Sequence, residues 1–346
     1  MNSTKPILLL LLLLNTSLDL LSQNKFKPGQ VWKDDKGRAI QAHGGCLLLH
    51  KGVYYWYGEN KDMENYPIPN PYISNDSRVD VIGVSCYSSK DLYNWRYEGL
   101  ALPANKTDST HDLYYKGVLE RPKVIYNEKT GKFVMWMHID KQGYQYARAG
   151  VATSDFPTGP FKYINSVRPD GLMSRDMTLY KDDNGKAYLI FASGPGMNTL
   201  HISLLSADYI KPTGKFNDIL ENETREAPAI FKYKSKYYLI SSGLTGWDAN
   251  PASYAVGDSI MGKWKTVGNP WQGIGKDSSY NSQSTFVFPL NENKGHFIFM
   301  ADRWSRHHLN DSRYIWVPIE FENNELKLHW KDEWDLKFFD GKKTSK

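Results

Sequence analysis

The stretch that decides the fold is REAPAIFKYKSKYYLISSG, which runs from Arg225 to Gly243. It places one carboxylate, Glu226, ahead of a proline and two runs of residues typical of β-strands. A proline fixes its own φ and favours an extended conformation in the residue before it. We therefore expect Glu226, Ala227 and Pro228 to form a stiff, extended entry to a strand, with the carboxylate on a rigid rim.

The same block recurs four more times, always as a polar head, an apolar strand, a turn and an aromatic-rich strand. The other copies are QAHGGCLLLHKGVYYWYGE from Gln41, ERPKVIYNEKTGKFVMWMH from Glu120, SRDMTLYKDDNGKAYLIFAS from Ser174 and SQSTFVFPLNENKGHFIFMAD from Ser282. Repeats of about 50 residues with four strands each are typical of a β-propeller. We predict an all-β, single-domain, five-bladed β-propeller over residues 41–335, with minimal helix. The head residues, which should converge at the central channel, are Gln41, Glu120, Asp176, Glu226 and Gln283.

The two ends of the chain are predicted to lie outside the propeller. Residues 1–22 contain one lysine, an unbroken leucine run from Leu8 to Leu14 and then small polar residues. This run is too short to span a bilayer and is typical of a signal peptide. We expect an exported protein, periplasmic or extracellular, without a membrane span. Residues 23–40 are predicted as an irregular lead-in and residues 336–346 as a polar C-terminal tail.

Charge and composition narrow the range of partners. The formal net charge is +5 on 346 residues, and no cluster of lysine and arginine interleaves with aromatic residues, which argues against nucleic-acid binding. The aromatic content of 14% suits both blade packing and stacking on sugar rings. We expect a polysaccharide or oligosaccharide substrate and a monomer, although the sequence does not determine the oligomeric state.

Two further features lie in the first blade. Cys46 and Cys86 fall on its first and third predicted strands, about 9–10 Å apart, which exceeds disulfide reach. We predict two free, buried thiols, with a disulfide as the alternative that export allows. Residues 60–79 form an insertion rich in Pro, Asn and Asp without a strand pattern, and we predict a long functional loop there.

Carboxylates that converge at a channel mouth suit the cleavage of glycosidic bonds. One carboxyl group must give a proton to the leaving oxygen, and a second group must activate water or attack carbon. Glu120, Asp176 and Glu226 are three such groups, and their mutual repulsion is expected to raise one pKa. Each also has a structural interpretation: Glu226 could cap a strand end, and Glu120 with Arg121, or Asp176 with Arg175, could form a rim salt bridge.

Seven motifs in order at blade starts resemble glycoside hydrolase family 43, and within it the branch that contains exo-β-1,3-galactanases. The motifs are QAHGG (41–45), YYWYGE (54–59), ERPKV (120–124), SRDMTLY (174–180), REAP (225–228), SQST (282–285) and DRW with DSRYIW (302–304 and 311–316). The resemblance covers essentially the whole chain after residue 22. It implies a five-bladed propeller and an exo-acting hydrolase that releases galactose from β-1,3-galactan, such as the arabinogalactan backbone.

The resemblance also implies roles for individual residues. Glu226 matches the general acid, and Asp176 matches the acidic residue that tunes and positions it. Most of the family has an aspartate base in the first blade, where this chain has Gln41-Ala42-His43 instead. The galactanase branch shares this gap, and there a glutamine matching Gln283 is proposed to act on water as an imidic-acid tautomer.

The remaining site candidates are contacts to sugar. Glu120 matches a sugar-contacting carboxylate of the branch. Other contact positions are expected at Glu59, Gln41, His43, Tyr144, Asn198, Thr245, Trp247 and Trp304. Gln41 and His43 could instead hold the channel together, and Gln283 could merely hydrogen-bond a neighbouring blade.

Cofactor and alternative functions complete the sequence-based hypotheses. No His/Cys set has zinc spacing, so no metal site is predicted and no cofactor is required. The resemblance allows a calcium ion in the channel, although no residue pattern calls for one. Two alternatives to the galactanase are an α-L-arabinofuranosidase or related family 43 exo-glycosidase, and a carbohydrate-binding propeller without catalysis, which the missing aspartate favours.

Overall fold

Five antiparallel four-stranded sheets follow one another along the chain. The computed structural model describes residues 24–67 and 77–341. Blade 1 contains β1 (His43–His50), β2 (Val53–Glu59), β5 (Gly83–Ser89) and β6 (Arg96–Pro103); blade 2 contains β7 (Val118–Asn127), β8 (Lys132–Asp140), β9 (Arg148–Ser154) and β10 (Lys162–Val167). Blade 3 contains β11 (Met177–Lys181), β12 (Ala187–Ser193), β13 (Thr199–Leu205) and β14 (Pro212–Ile219); blade 4 contains β15 (Arg225–Tyr233), β16 (Lys236–Gly243), β17 (Ser253–Gly257) and β18 (Trp264–Gly268). Blade 5 contains β19 (Gln283–Asn291), β20 (His296–Arg303), β21 (Arg313–Glu322) and β22 (Glu325–Leu328).

The first strand of each blade lies at the centre of the molecule. Strand β1 contacts β7 and β19, β11 contacts β7 and β15, and β15 contacts β19. These contacts close a ring of five strands around one channel. The prediction of a single five-bladed propeller is therefore confirmed.

In blades 2 to 5 the second strand is the most deeply buried, because neighbouring sheets cover both of its faces. In KFVMWMHID of β8, every residue after Lys132 is buried. Such strands consequently lack the polar alternation of a half-exposed sheet. The small helical content is also confirmed: helices in the described part are short 3₁₀ turns at Pro169–Gly171, Pro195–Met197, Lys276–Ser278, Glu292–Lys294, Leu309–Asp311 and Leu336–Phe339.

An aromatic seam closes the ring between blades 5 and 1. The Phe26 backbone N–H donates to Trp334 O at 2.8 Å, and the Trp334 N–H donates back to Phe26 O at 3.0 Å. The Phe26 ring lies 4.5 Å from that of Trp334 and 5.9 Å from that of Trp316. The lead-in therefore pairs with the C-terminal segment and joins the core.

The predicted boundary of the C-terminal tail needs correction. Leu336–Phe339 forms a 3₁₀ helix, and Phe339 is buried with its ring stacked on His296 at 4.7 Å. The helix belongs to the aromatic seam because its phenylalanines are too apolar for a solvated tail. Residues 342–346 lie outside the described part, as does the predicted signal peptide.

The described part of the blade 1 insertion contains a strand pairing that its sequence did not predict. Strands β3 (Tyr66–Pro67) and β4 (Ser77–Arg78) form a two-residue antiparallel ladder, and the intervening residues 68–76 lie outside the described part. Asn65 Nδ2 donates to Arg306 O at 3.0 Å, and the Leu309 N–H donates to Asn65 Oδ1 at 2.8 Å. The insertion is thus fastened to the loop between β20 and β21, in blade 5.

Both cysteines have the predicted state. Cys46 on β1 and Cys86 on β5 are free and fully buried, which confirms the expectation from their strand positions. The Val124 N–H donates to Cys46 Sγ at 3.2 Å. Among the residues described, no helix is long and apolar enough to cross a bilayer.

Candidate active site

Bulges at the start of three innermost strands turn the head residues toward the channel. The regular pairing shifts between His43 and Cys46, between Glu120 and Lys123, and between Glu226 and Ala229. In each case the second residue of the strand irregularity has a positive φ: 58° at Gly44 after His43, 54° at Arg121 after the head Glu120, and 52° at Ala227 after the head Glu226. A bulge bends its strand and re-aims the neighbouring side chain. Positive φ at two residues other than glycine is local strain of the kind that functional sites retain.

The conformation expected at Ala227 is wrong. The following Pro228 favours an extended residue, yet Ala227 has a φ of 52° within the bulge of β15. The bulge overrides the local preference because it is needed to direct Glu226 inward. Glu226 is therefore positioned by a bulge in β15, and the predicted extended segment is absent at Ala227.

A cavity of about 410 Å³ lies at the end of the channel where the innermost strands begin. Four head residues and four predicted contacts line it: Glu120, Asp176, Glu226, Gln283, Glu59, Tyr144, Trp247 and Trp304. Its wall also includes residues that the sequence argument did not assign to the site: Arg121, His138, Gln145, Met173, Arg175, the 194–197 segment, Leu244 and Gly246. Residues far apart in sequence thus meet at one site, as the repeat predicted.

Two predicted contacts in blade 1 lie outside the cavity wall. The Gln41 N–H donates to Tyr87 Oη at 3.0 Å, and Gln41 Nε2 donates to Asn310 O at 2.9 Å. His43 is fully buried, with Nδ1 3.2 Å from Asp302 Oδ1. Gln41 lies two residues ahead of β1, so its side chain reaches the neighbouring loop. This placement matches the alternative in which both residues hold the channel together.

Two other predicted contacts face away from the cavity although their neighbours line it. Asn198 Nδ2 donates to Asn222 Oδ1 at 2.9 Å. Thr245 Oγ1 donates to Asp248 O at 2.6 Å and accepts from Asn250 Nδ2 at 2.7 Å. Their polar groups are occupied by turn contacts, whereas the adjacent residues supply the wall.

The amide of Gln283 is held by four hydrogen bonds. Its Oε1 accepts from an Arg121 guanidinium N–H and from Trp304 Nε1, the latter at 2.9 Å. Its Nε2 donates to Glu226 Oε1 at 2.9 Å and to Ser242 Oγ at 3.1 Å. Because arginine and tryptophan N–H groups can only donate, they fix the orientation of the amide. A neutral N–H group therefore faces Glu226.

Arg121 is the central cation of the site, whereas its place in the sequence suggested only a salt bridge at the rim. It is 4% exposed, and its NH2 lies 2.8 Å from Asp176 Oδ2. Its NH1 donates to Ser284 O at 3.1 Å, and its backbone N–H donates to Glu59 Oε1 at 2.9 Å. The expected salt bridge to Glu120 is replaced by links to blades 1, 3 and 5. The sequence signal that could have identified Arg121 was its position directly after the head residue Glu120.

Glu59 lines the cavity but has both oxygens engaged within the protein. Oε1 accepts from the Arg121 backbone, and Oε2 lies 2.6 Å from Lys61 Nζ in a buried ion pair. These contacts indicate that Glu59 supports Arg121. Each of these oxygens keeps a second lone pair, so the role of Glu59 as a sugar contact stays a prediction.

Glu120 is clamped by donors from three different segments. Tyr144 Oη donates to Glu120 Oε1 at 3.0 Å, and Arg78 NH2 donates to the same oxygen at 3.3 Å. On the other side, His138 Nδ1 lies 3.2 Å from Glu120 Oε2, and His138 Nε2 lies 3.1 Å from Asp140 Oδ2. Arg78 belongs to the insertion, so the predicted functional loop supplies a residue to this site.

The surroundings of Glu226 and Glu120 shift the pKa values of the two carboxyl groups in opposite directions. Burial raises the pKa of Glu226 well above its usual value, and the charge of Asp176 raises it further, against the opposing effects of Arg121 and Arg175. Burial alone would also raise the pKa of Glu120, but Arg78 and His138 outweigh it and hold that pKa well below its usual value. Of the two carboxyl groups, Glu226 is therefore the one whose surroundings favour a proton, and Glu120 is the one whose surroundings favour ionisation.

Two tryptophans form the apolar part of the wall. The rings of Trp247 and Trp304 lie 5.1 Å apart at an interplanar angle of 68°. Lys61 Nζ lies 5.7 Å from the centre of the Trp247 ring. The predicted stacking residues are thus adjacent, and Trp304 also orients Gln283.

The channel residues do not fit a calcium ion. Glu120, His138 and Asp176 bring possible ligand atoms within 4.8 Å of one another, but calcium prefers six to eight oxygen ligands, and both carboxylates already contact arginines. Deeper in the channel, the buried Lys123 Nζ donates to Gly44 O at 2.6 Å. A lysine ammonium therefore supplies positive charge inside the ring.

The comparison with family models identifies the chemistry that this site serves. The model for glycosyl hydrolases family 43 matches residues 54–283. The chain belongs to glycosyl hydrolase family 43. The matched residues run from β2 to Gln283 and include the segments that carry Glu120, Asp176 and Glu226.

Solved structures of other family 43 proteins resemble this one closely. A β-1,3-galactosidase solved with galactodeoxynojirimycin is 40% identical, with a TM-score of 0.81 over 90% of this chain and 100% of the other. The exo-β-1,3-galactanase of Phanerochaete chrysosporium, solved with β-1,3-galactotriose, is 34% identical, with a TM-score of 0.81 over 91% of this chain and 68% of the other. The exo-β-1,3-galactanase of Clostridium thermocellum is 37% identical, with a TM-score of 0.78 over 89% and 66%. No curated protein sequence matches the chain.

Family 43 membership gives the arrangement of charges a chemical meaning. A glycoside hydrolase needs one protonated carboxyl group for the leaving oxygen. In this family 43 protein, Glu226 has the environment that retains a proton, while Asp176 is paired with Arg121. These surroundings are the ones that a general acid of a glycoside hydrolase requires.

Proposed function

We propose that this family 43 enzyme is an exo-acting hydrolase that releases galactose from β-1,3-galactan. The observation that carries the proposal is a cavity in which Glu226 receives a neutral amide N–H, while Asp176 and Glu120 are paired with cations. The likeness to β-1,3-galactan-cleaving relatives at 34–40% identity supports the choice of sugar. A glutamine at the head of blade 5, in contact with the acid, supports the same branch of the family.

Glu226 acts as the general acid in this proposal. Its carboxyl proton passes to the bridging oxygen as the bond from that oxygen to the anomeric carbon breaks. A water molecule forms the new bond to that carbon and loses a proton to solvent, and Glu226 takes up a proton from solvent before the next turnover. Asp176 raises the pKa of Glu226 and is itself positioned by Arg121. Glu120, clamped by Arg78 and His138, accepts hydrogen bonds from the hydroxyl groups of the terminal sugar.

Gln283 is assigned to the water side of the sugar. Its Nε2 lies 2.9 Å from Glu226 Oε1, whereas inverting glycosidases separate their two catalytic groups by about 6.5–9.5 Å. Substrate binding must therefore break this hydrogen bond. The donors Arg121 and Trp304 favour the carbonyl form of the amide, so conversion to an imidic acid must alter at least one of these bonds.

The shape of the site supports exo action on a chain end. A cavity of about 410 Å³ falls in the range of small-molecule sites, and Arg78 of the insertion contacts Glu120 in its wall. The two tryptophans offer a stacking surface next to the acid. A terminal sugar fits such an enclosed site better than the middle of a polymer.

Hydrolysis of β-1,3-galactotriose tests the proposal. We expect galactose as the first product, with galactobiose accumulating transiently, when products are followed by chromatography. Glu226→Gln should abolish release, whereas Glu221→Gln, a matched change at an exposed site in the connection just before β15, should not. Absence of galactose release, or full activity in Glu226→Gln, would refute the proposal.

Two further measurements distinguish the galactanase from an arabinofuranosidase and from a carbohydrate-binding propeller. Hydrolysis of 4-nitrophenyl α-L-arabinofuranoside in place of galactosides would assign the enzyme to another branch of the family. Affinity for galactan without turnover, unchanged by Glu226→Gln, would identify a binding propeller.

We also propose that the enzyme is secreted and acts as a monomer on arabinogalactan. The leucine run near the N-terminus supports export, and the resemblance to galactanases supports the polymer. N-terminal sequencing of the protein recovered outside the cytoplasm should find a mature chain beginning near residue 23. Recovery of chains that begin at Met1 would contradict export with removal of a signal peptide, and a dimer by light scattering would contradict the monomer.

A further inference from the structure

A buried histidine lies behind the carboxylate that faces the sugar. His138 is 1% exposed, on β8, with Glu120 on one side and Asp140 on the other. Asp140 Oδ1 accepts from the backbone N–H groups of Lys141 at 2.8 Å and Tyr146 at 2.9 Å, so this carboxylate is fixed and ionised. A histidine whose ring nitrogens lie 3.2 Å and 3.1 Å from two carboxylates is stabilised as an imidazolium by both negative charges.

We propose that His138 is the positioning residue that keeps Glu120 ionised and fixed as the hydroxyl acceptor for the terminal sugar. Fixation requires a donor behind the carboxylate, because Arg78 and Tyr144 both approach Glu120 Oε1. His138 is the contact on Oε2. This inference rests on the proposed function and assigns a role to a residue that touches no substrate itself.

The charges around this pair explain why the imidazolium is retained. Burial alone lowers the pKa of His138, but the hydrogen bonds and charges of Asp140 and Glu120 raise it to about 9. Other charged or titratable groups near the pair are Arg78 on β4, Lys61 after β2, Tyr144 and Arg175 at the cavity wall, Asp176 ahead of β11, and Glu226 on β15, which is a neutral glutamine in the test below. Arg78 and Lys61 lower the pKa of Glu120, so His138 acts together with two other cations.

The chain offers a matched control on blade 3. His201 is also fully buried between two carboxylates, with Nδ1 2.5 Å from Asp218 Oδ1 and Nε2 3.1 Å from Asp170 Oδ2. His201 lies outside the cavity wall, which His138 lines. Replacing either histidine disturbs a similar buried arrangement, but only one replacement disturbs Glu120.

The experiment measures binding of β-1,3-galactobiose by calorimetry from pH 5 to 9.5, in the Glu226→Gln background, where hydrolysis is expected to be absent. Adding His138→Gln should weaken binding about tenfold at pH 7, because a charge-assisted contact behind the sugar acceptor is lost. In the background variant, affinity should fall as the pH passes about 9, where His138 loses its proton. This decline should be absent with His138→Gln and retained with His201→Gln.

Further variants separate positioning from folding. Asp140→Asn keeps a hydrogen-bond partner but removes the charge that raises the pKa of His138, so the alkaline decline should move to lower pH. If His138→Gln does not fold, the shift in the alkaline decline measured with Asp140→Asn tests the inference instead. Three results would overturn this inference and leave the proposed function intact. The affinity at pH 7 could be unchanged by His138→Gln, the alkaline decline in affinity could persist in His138→Gln, or that decline could stay at the same pH in Asp140→Asn. If wild type releases no galactose and the background variant binds no galactobiose, the proposed function fails first.

Discussion

Removal of the Phe26 side chain should destabilise the propeller strongly, because this ring fills the seam between the last blade and the first. Phe26 is 2% exposed and lies 4.5–6.0 Å from four aromatic rings. Truncation of a buried phenylalanine to alanine costs about 3–5 kcal/mol. Since domains are stable by about 5–15 kcal/mol, Phe26→Ala should remove a large share of the free energy of unfolding.

The assay is urea unfolding followed by tryptophan fluorescence, and the expected result is a midpoint lowered by about 1 M or more with little change in slope. Phe156→Ala is the matched control, because Phe156 is 64% exposed and its loss should cost about 0.5 kcal/mol or less. Equal midpoints for the two variants would show that the lead-in does not close the ring, and the interpretation of the seam would be wrong.

Three other predictions concern the site and the thiols. Asp176→Asn removes a negative charge that raises the pKa of Glu226, so the alkaline limb of kcat/KM should move to lower pH by about one unit or more; an unmoved limb would exclude Asp176 as the tuning charge. Trp247→Ala should raise KM for β-1,3-galactotriose by about fivefold to tenfold with a smaller change in kcat, and an unchanged KM would show that the sugar does not stack there. Cys46 and Cys86 should react with a thiol reagent only after denaturation, both as free thiols, and reaction in the native state would contradict their burial.

The fold could be predicted because each blade repeats the same local pattern. Strand and turn signals recur about every 50 residues, and the closed ring follows from the number of copies. The burial of Cys46 and Cys86 followed from the order of strands within a sheet. The C-terminal helix at Leu336–Phe339 was missed because its burial depends on pairing with Phe26, which lies some 300 residues earlier.

The site could be predicted only in part, for a related reason. Glu120, Asp176 and Glu226 were found because they occupy equivalent positions at blade starts. Gln41 occupies that position in the sequence pattern, but it lies ahead of β1 and its side chain bonds a neighbouring loop. Arg78 was missed because its partners belong to a different blade, and an insertion carries no repeat that would align it.

The distribution of cations explains how three acidic groups in one cavity can differ in protonation. Arg121 neutralises Asp176, while Arg78 and His138 neutralise Glu120. Glu226 receives instead an N–H from the neutral amide of Gln283, which can bond a protonated carboxyl group without adding a charge that would expel the proton.

A cation in place of that amide would lower the pKa of Glu226 and leave no acid at neutral pH. In the proposed mechanism, the glutamine at the head of blade 5 therefore supports the acid together with Asp176, in addition to its part on the water side of the sugar. Its two roles are coupled, since the hydrogen bond that keeps Glu226 in place is the one that an incoming sugar must break.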